Sequence, residues 1–208
     1  MSETNTSSQR HVIAALVTNE PGVLAQVAGM FAARGFNIDS LVVGRTENPE
    51  ISRMTIVTSG DDSVLEQVRK QLAKLVPVVK VVDYKDVPYV ERDLLLITVS
   101  TTGATTDGGK APSLDLANAR RSAIVELASI FRAKVVDVSP GQIMIEMSGT
   151  EDKIEALIQL VQPYGIIELA RTGVIAMPRG TTIGSNDRRS KAVAATGPGI
   201  DEGSLPPG

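Results

Sequence analysis

The chain has 208 residues, 42% of them apolar, enough for one large or two small hydrophobic cores. A net charge of −3 gives no overall electrostatic case for a nucleic-acid or anionic-membrane partner, and three Phe, three Tyr and no Trp leave little for stacking bases. With no cysteine and one histidine, His11, the chain offers no disulfide, no thiolate nucleophile or metal site, and almost nothing for a Ser-His-Asp triad. No run approaches the roughly 20 apolar residues of a membrane span. The first ten residues lack the apolar core of a signal peptide, so a cytoplasmic protein is expected.

Residues 1–9 are polar and expected to be disordered. Arg10 to Val17 reads as a strand, and Thr18-Asn19-Glu20-Pro21-Gly22-Val23-Leu24 as a tight turn into a helix. Pro21 suits a first helical turn, and Gly22 permits close approach to the backbone. A helix N-terminus offers free N–H groups and partial positive charge, which suit a carboxylate or phosphate. Asn19 adds an amide that donates and accepts. The same residues also describe an ordinary capped turn. Leu24, Val27, Ala28 and Phe31 then form one apolar helix face, and Gly35 ends the helix. Ile38 to Arg45 and Ile51 to Thr58 read as a hairpin around Asn48-Pro49. His11 is read as a surface or sheet-edge residue. A helix capped by Asp61 carries Leu65, Val68, Leu72 and Leu75, and Val78 to Val82 is a strand.

The order βαββαβ then recurs. Asp93 to Thr101 is a strand, followed by a Gly/Thr-rich loop from 102 to 112 and a helical pattern from Leu114 to Ala133. Val135 to Val138 and Gln142 to Met147 flank the Pro140-Gly141 turn. Ile154, Leu157, Ile158 and Val161 share a helix face, and Ile166 to Arg171 is a last strand, with a continuation to Met177 as its further expected extent. The expected class is α+β, two ferredoxin-like units in tandem. The divisions are 10–85, a linker at 86–90, a second domain at 91–178 and a flexible tail at 179–208. Each sheet is covered by helices on one face, so an uncovered face or edge calls for self-association or a second protein.

This fold carries many functions. An RNA-binding version needs aromatics where Met54-Thr55-Ile56-Val57 stands, a metal carrier needs cysteine, and a phosphatase-like enzyme needs an Arg in the first loop. No convergent acid, base or nucleophile set is visible. A small-molecule regulatory module needs only an anion-binding helix start, a polar anchor and an apolar slot, and the Asn19 to Leu24 loop offers these.

Asn19-Glu20-Pro21-Gly22-Val23-Leu24 resembles the first loop of the ACT domain, an amino-acid-sensing module. Arg34 to Leu41, Ser52-Arg53-Met54-Thr55-Ile56, Val90-Glu91-Arg92-Asp93 and Ala170-Arg171-Thr172-Gly173-Val174 are similar to the small regulatory subunit of acetohydroxyacid synthase (acetolactate synthase). The resemblance spans residues 10–180. It implies a non-catalytic subunit that activates a large catalytic subunit holding thiamine diphosphate, Mg²⁺ and FAD. It also implies feedback inhibition of branched-chain amino acid synthesis, usually by valine, and an ACT homodimer with the effector at its interface. On that basis Asn19 and the Gly22-Val23-Leu24 backbone hold the effector's carboxylate and amine. Asn37 and Ile38 reach in from the partner chain, and Val42, Val43 and Gly44 line the side-chain pocket. The second half lacks such a loop, so an effector site is expected only in the first. A free-standing amino-acid sensor acting on another partner is the alternative.

Overall fold

Strand β1 (Gln9–Thr18) is apolar on both faces, and the two faces meet different partners. Ile13, Ala15 and Val17 join a core with Val23, Val27, Phe31, Leu65, Val68 and Leu72 from helices α1 (Val23–Ala32) and α2 (Asp62–Leu72). Val12 and Ala14 point the other way, into a separate cluster. The computed structural model describes residues 9–103 and 113–180. The remaining ends and most of the Gly/Thr-rich loop lie outside the described residues.

The first unit adds β2 (Ser40–Arg45), β3 (Ile51–Gly60) and β4 (Val78–Asp83) to an antiparallel sheet of order β2-β3-β1-β4. The second unit repeats the plan with β5 (Tyr89–Ser100), α3 (Leu114–Ile130), β6 (Lys134–Ser139), β7 (Gln142–Gly149), α4 (Glu151–Val161) and β8 (Ile166–Arg171), in sheet order β6-β7-β5-β8. Its core gathers Leu95, Ile97, Val99, Ile124, Ile143, Ile145, Ile154 and Leu157. The expected pair of ferredoxin-like units is therefore present.

Several boundaries differ from the sequence reading. Strand β5 begins at Tyr89, so the last two residues of the expected linker are already sheet. The last strand ends at Arg171 as expected for its main run, but the continuation is a separate strand: β9 (Ile175–Pro178) pairs with Tyr89 to Arg92 of β5. The break is forced at Gly173, whose φ of 85° lies in the left-handed region. Ordered pairing also reaches into the expected ends, since Gln9 lies opposite Gly60 and the Arg179 N–H donates to the Pro88 carbonyl at 2.9 Å. Helix α3 ends at Ile130, with Arg132 at φ 57° closing the turn. His11 is 4% exposed, and its Nε2 donates to the Gly60 carbonyl at 3.1 Å.

The helix-free face of the first sheet is partly covered from within the chain. Val174 and Ala176 pack against Val12, Ala14, Val57 and Tyr84, making a seam between the two units. The Tyr84 hydroxyl donates to the Ala176 carbonyl at 3.0 Å and accepts from Arg53 Nη1 at 3.3 Å. Burial pushes the Tyr84 phenol above its ordinary value of 10.0. The folded chain thus keeps this proton after the unfolded chain has lost it. The stabilisation is complete below about pH 10 and declines as pH rises through the raised value. Thermal melts from about pH 9 to 11 are expected to fall less steeply for Tyr84→Phe than for the wild type. Identical slopes would exclude Tyr84 as the cause.

Candidate functional site

Gly22 stands at φ 86° and ψ −10°, a conformation costly for any residue with a Cβ, and it turns the chain from β1 into α1. No side chain caps α1, and its first turn holds no acidic residue. The other described α-helices each carry an acid in the first turn, and Asp61 and Ser113 cap α2 and α3 through their side chains. The start of α1 therefore presents N–H groups with the least local compensation. Val23 is buried in the core, so only its backbone faces outward, whereas Leu24 is 48% exposed.

Asn19 is tied to the β2–β3 turn. Its backbone N–H donates to the Glu50 carbonyl at 2.7 Å and its Nδ2 to the Pro49 carbonyl at 3.0 Å. Its Oδ1 accepts from Ser52 Oγ at 3.3 Å. An amide has two donor hydrogens and two acceptor lone pairs, so one of each stays available. The loop is held in place with its amide half-used.

Asn37 lies elsewhere. Its carbonyl accepts from Thr58 Oγ1 at 2.6 Å, and its Nδ2 donates to Asp39 Oδ1 at 2.5 Å. Ile38 beside it packs on the first core. Asn19 sits by Ile51 at one end of β3 and Asn37 by Thr58 at the other. Seven residue steps along β3 separate those ends, about 23 Å. One chain does not bring the two asparagines together.

The three β2 residues also divide. Val43 lies opposite Met54 on the helix side and is 44% exposed, because β2 is an edge strand. Val42 and Gly44, opposite Thr55 and Arg53, lie on the helix-free face. There they line a cleft of about 540 Å³ with Leu16, Arg53, Ile175 and Met177. Alternation along a strand keeps Val42 and Val43 out of one pocket within a single chain.

The sequence reading missed Asp93. Its side chain is 0% exposed and makes an ion pair with Arg171 at 2.8 Å. The sequence offered little signal, because Asp93 closes the charged stretch Glu91-Arg92-Asp93 just before the apolar run that starts at Leu94. Arg10 bridges to Glu91 at 3.1 Å and Glu151 at 2.8 Å across the two units. Among the described residues, no group of three or more His, Asp or Glu could hold a metal ion, and no helix is long and apolar enough to cross a membrane.

Comparison with known proteins places these features. Residues 13–80 match the family model described as an AHAS small subunit-like ACT domain, and residues 114–180 the one described as the small subunit of acetolactate synthase. The chain is 53% identical over 171 residues to a probable acetolactate synthase small subunit of Archaeoglobus fulgidus, covering 82% of this chain and 98% of the relative. It is 47% identical to the acetolactate synthase small subunit of Aquifex aeolicus, covering 84% of each. The crystal structure of the Thermotoga maritima acetolactate synthase small subunit superposes with a TM-score of 0.67 at 41% identity, covering 82% of this chain and 98% of that one.

Proposed function

The chain belongs to the family of acetolactate synthase small subunits, and from that premise we propose that it is a cytoplasmic regulatory subunit without chemistry of its own. It activates a thiamine-diphosphate-dependent catalytic subunit, which holds Mg²⁺ and FAD, and confers feedback inhibition by valine. The observation that carries the effector site is the start of α1, which has neither a side-chain cap nor an acid in its first turn. The valine carboxylate takes these N–H groups, and the free lone pair of Asn19 takes its ammonium.

The site is built from two chains. Asn19 and Asn37 stand at opposite ends of one sheet, so a second copy must supply Asn37 and Ile38 to the first copy's loop. Among the described residues strand β2 pairs only with β3, and its other backbone edge is a ready surface for that copy. In such a dimer, Leu24 and the exposed Val43 of facing chains supply the apolar lining of the slot. The second unit, lacking the loop, engages the catalytic subunit.

Calorimetric titration with valine, leucine and isoleucine tests this reading. Saturable valine binding is expected, weakened by about 10- to 100-fold in Asn19→Ala, the equivalent of one charge-assisted hydrogen bond. Ser52→Ala removes only the inner partner of Asn19 and should bind valine as the wild type does. If none of the three amino acids binds the wild type, the effector assignments fail and only an activating role survives.

A further inference from the structure

The two units meet in two different ways. The seam of Val12, Ala14, Val57 and Tyr84 against Val174 and Ala176 is mainly apolar burial, with the Tyr84 hydroxyl donating to the Ala176 carbonyl at 3.0 Å. The corner between β8 and β9 is different. Asp93 Oδ2 accepts from Arg171 Nε at 2.9 Å, and its Oδ1 accepts from the Gly173 N–H at 3.1 Å and Thr172 Oγ1 at 3.2 Å. One buried carboxylate thus fixes three successive residues of the corner. From there the Val174 N–H donates to Ser40 Oγ of β2 at 3.3 Å. A Cβ placed on Gly173 would meet Ser40 Oγ at 2.5 Å and Val42 Cγ2 at 3.0 Å. The corner and β2 touch without slack.

Ser40 lies two residues beyond Ile38 and two before Val42, inside the segment that the proposed effector site uses. We infer that the corner pinned by Asp93 is the coupling element between the two units: a shift of β2 on effector binding is passed by Ser40 to Gly173 and turns the second unit. This rests on the effector reading above. Ser40, Asp93 and Gly173 are positioning residues and touch no effector. Close-packed contacts with no slack transmit a displacement rather than absorb it. A recess of about 310 Å³ bounded by Asp39, Ser40, Asp93 and Arg171 gives the corner room to move. The Arg10 bridges to Glu91 and Glu151 are part-exposed and too weak to set direction.

The chain contains no cysteine, so an introduced pair has no competitor. In Ser40→Cys/Gly173→Cys the Cβ atoms would stand 3.8 Å apart, the usual separation in a disulfide, while the Cβ at Gly173 is strained by φ 85° and by Val42 Cγ2 at 3.0 Å in both redox forms alike. The full-length double variant, reconstituted with the catalytic subunit, is oxidised with diamide or reduced with dithiothreitol, and valine binding, activation and valine inhibition are read on both forms. Both forms are expected to bind valine and to activate. The reduced form is inhibited, whereas the oxidised form needs at least tenfold more valine for half-inhibition. Equal inhibition of the two forms overturns the coupling while leaving the effector site intact. Failure of the wild type to bind valine overturns the effector reading and the coupling with it. If the reduced form is itself uninhibited, Ser40→Ala decides. Unchanged valine affinity with inhibition weakened at least threefold supports the coupling, and wild-type inhibition overturns it.

Discussion

Asp93→Ala is expected to lower the unfolding free energy by about 2–4 kcal/mol, read from urea unfolding curves. The carboxylate is fully buried, and its removal takes the buried partner from Arg171 and the acceptor from the Gly173 N–H, while the Thr172 hydroxyl can still donate to the Gly173 carbonyl at 2.9 Å. Arg171 keeps part of its solvent contact and its second partner, Glu155, so the loss falls below that of a wholly buried charge. For a chain of this size such a loss lowers Tm by roughly 5–15 °C. Asp93→Asn retains an oxygen for Thr172 and Gly173 but loses the ion pair, and should fall between. An alanine variant within about 0.5 kcal/mol of the wild type would mean that the corner does not depend on this carboxylate.

The first unit cut from the second after Lys85 is expected to be less stable than the same unit in the full chain by about 2–4 kcal/mol. The cut strips Val174 and Ala176 from Val12, Ala14, Val57 and Tyr84 and removes the Ala176 carbonyl from the Tyr84 hydroxyl. Burial of one valine is worth about 1.5–3 kcal/mol and the hydrogen bond about 1. Amide exchange along β1 and β3, compared between fragment and full chain, reads the difference, and a hydrophobic dye should bind the fragment alone. Equal protection and no dye binding would show that the seam adds nothing to the first unit. The cut fragment therefore probes two things at once: a loss of activation in it reflects an exposed sheet face as well as a missing second unit.

Helix phase shows how far local pattern reaches. Leu24, Val27, Ala28 and Phe31 make a correctly spaced face, yet the buried residues of α1 are Val23, Val27, Met30 and Phe31. The segment is apolar nearly all round, so spacing alone leaves two phases open, and the left-handed turn at Gly22 selects one. In α4, where charges occupy the other side, Ile154, Leu157 and Val161 are buried as the spacing predicts. The Asn19 to Leu24 loop was legible because Pro and Gly state a turn chemically. The cleft beside Val42 was not, since Ile175 and Met177 come from a strand some 130 residues further on.

By itself the sequence determined the repeated βαββαβ order, the two cores and the loop that opens α1. These follow from periodicity and turn residues acting within a few positions. Tertiary structure alone decided that Val12 and Ala14 are covered by Val174 and Ala176 and that Asp93 meets Arg171, Thr172 and Gly173. It also set Asn19 and Asn37 at opposite ends of one sheet. Those pairings depend on strand register and on closing loops of many tens of residues. Register is fixed by which faces bury together, a property of the assembled sheet and not of any short stretch of chain.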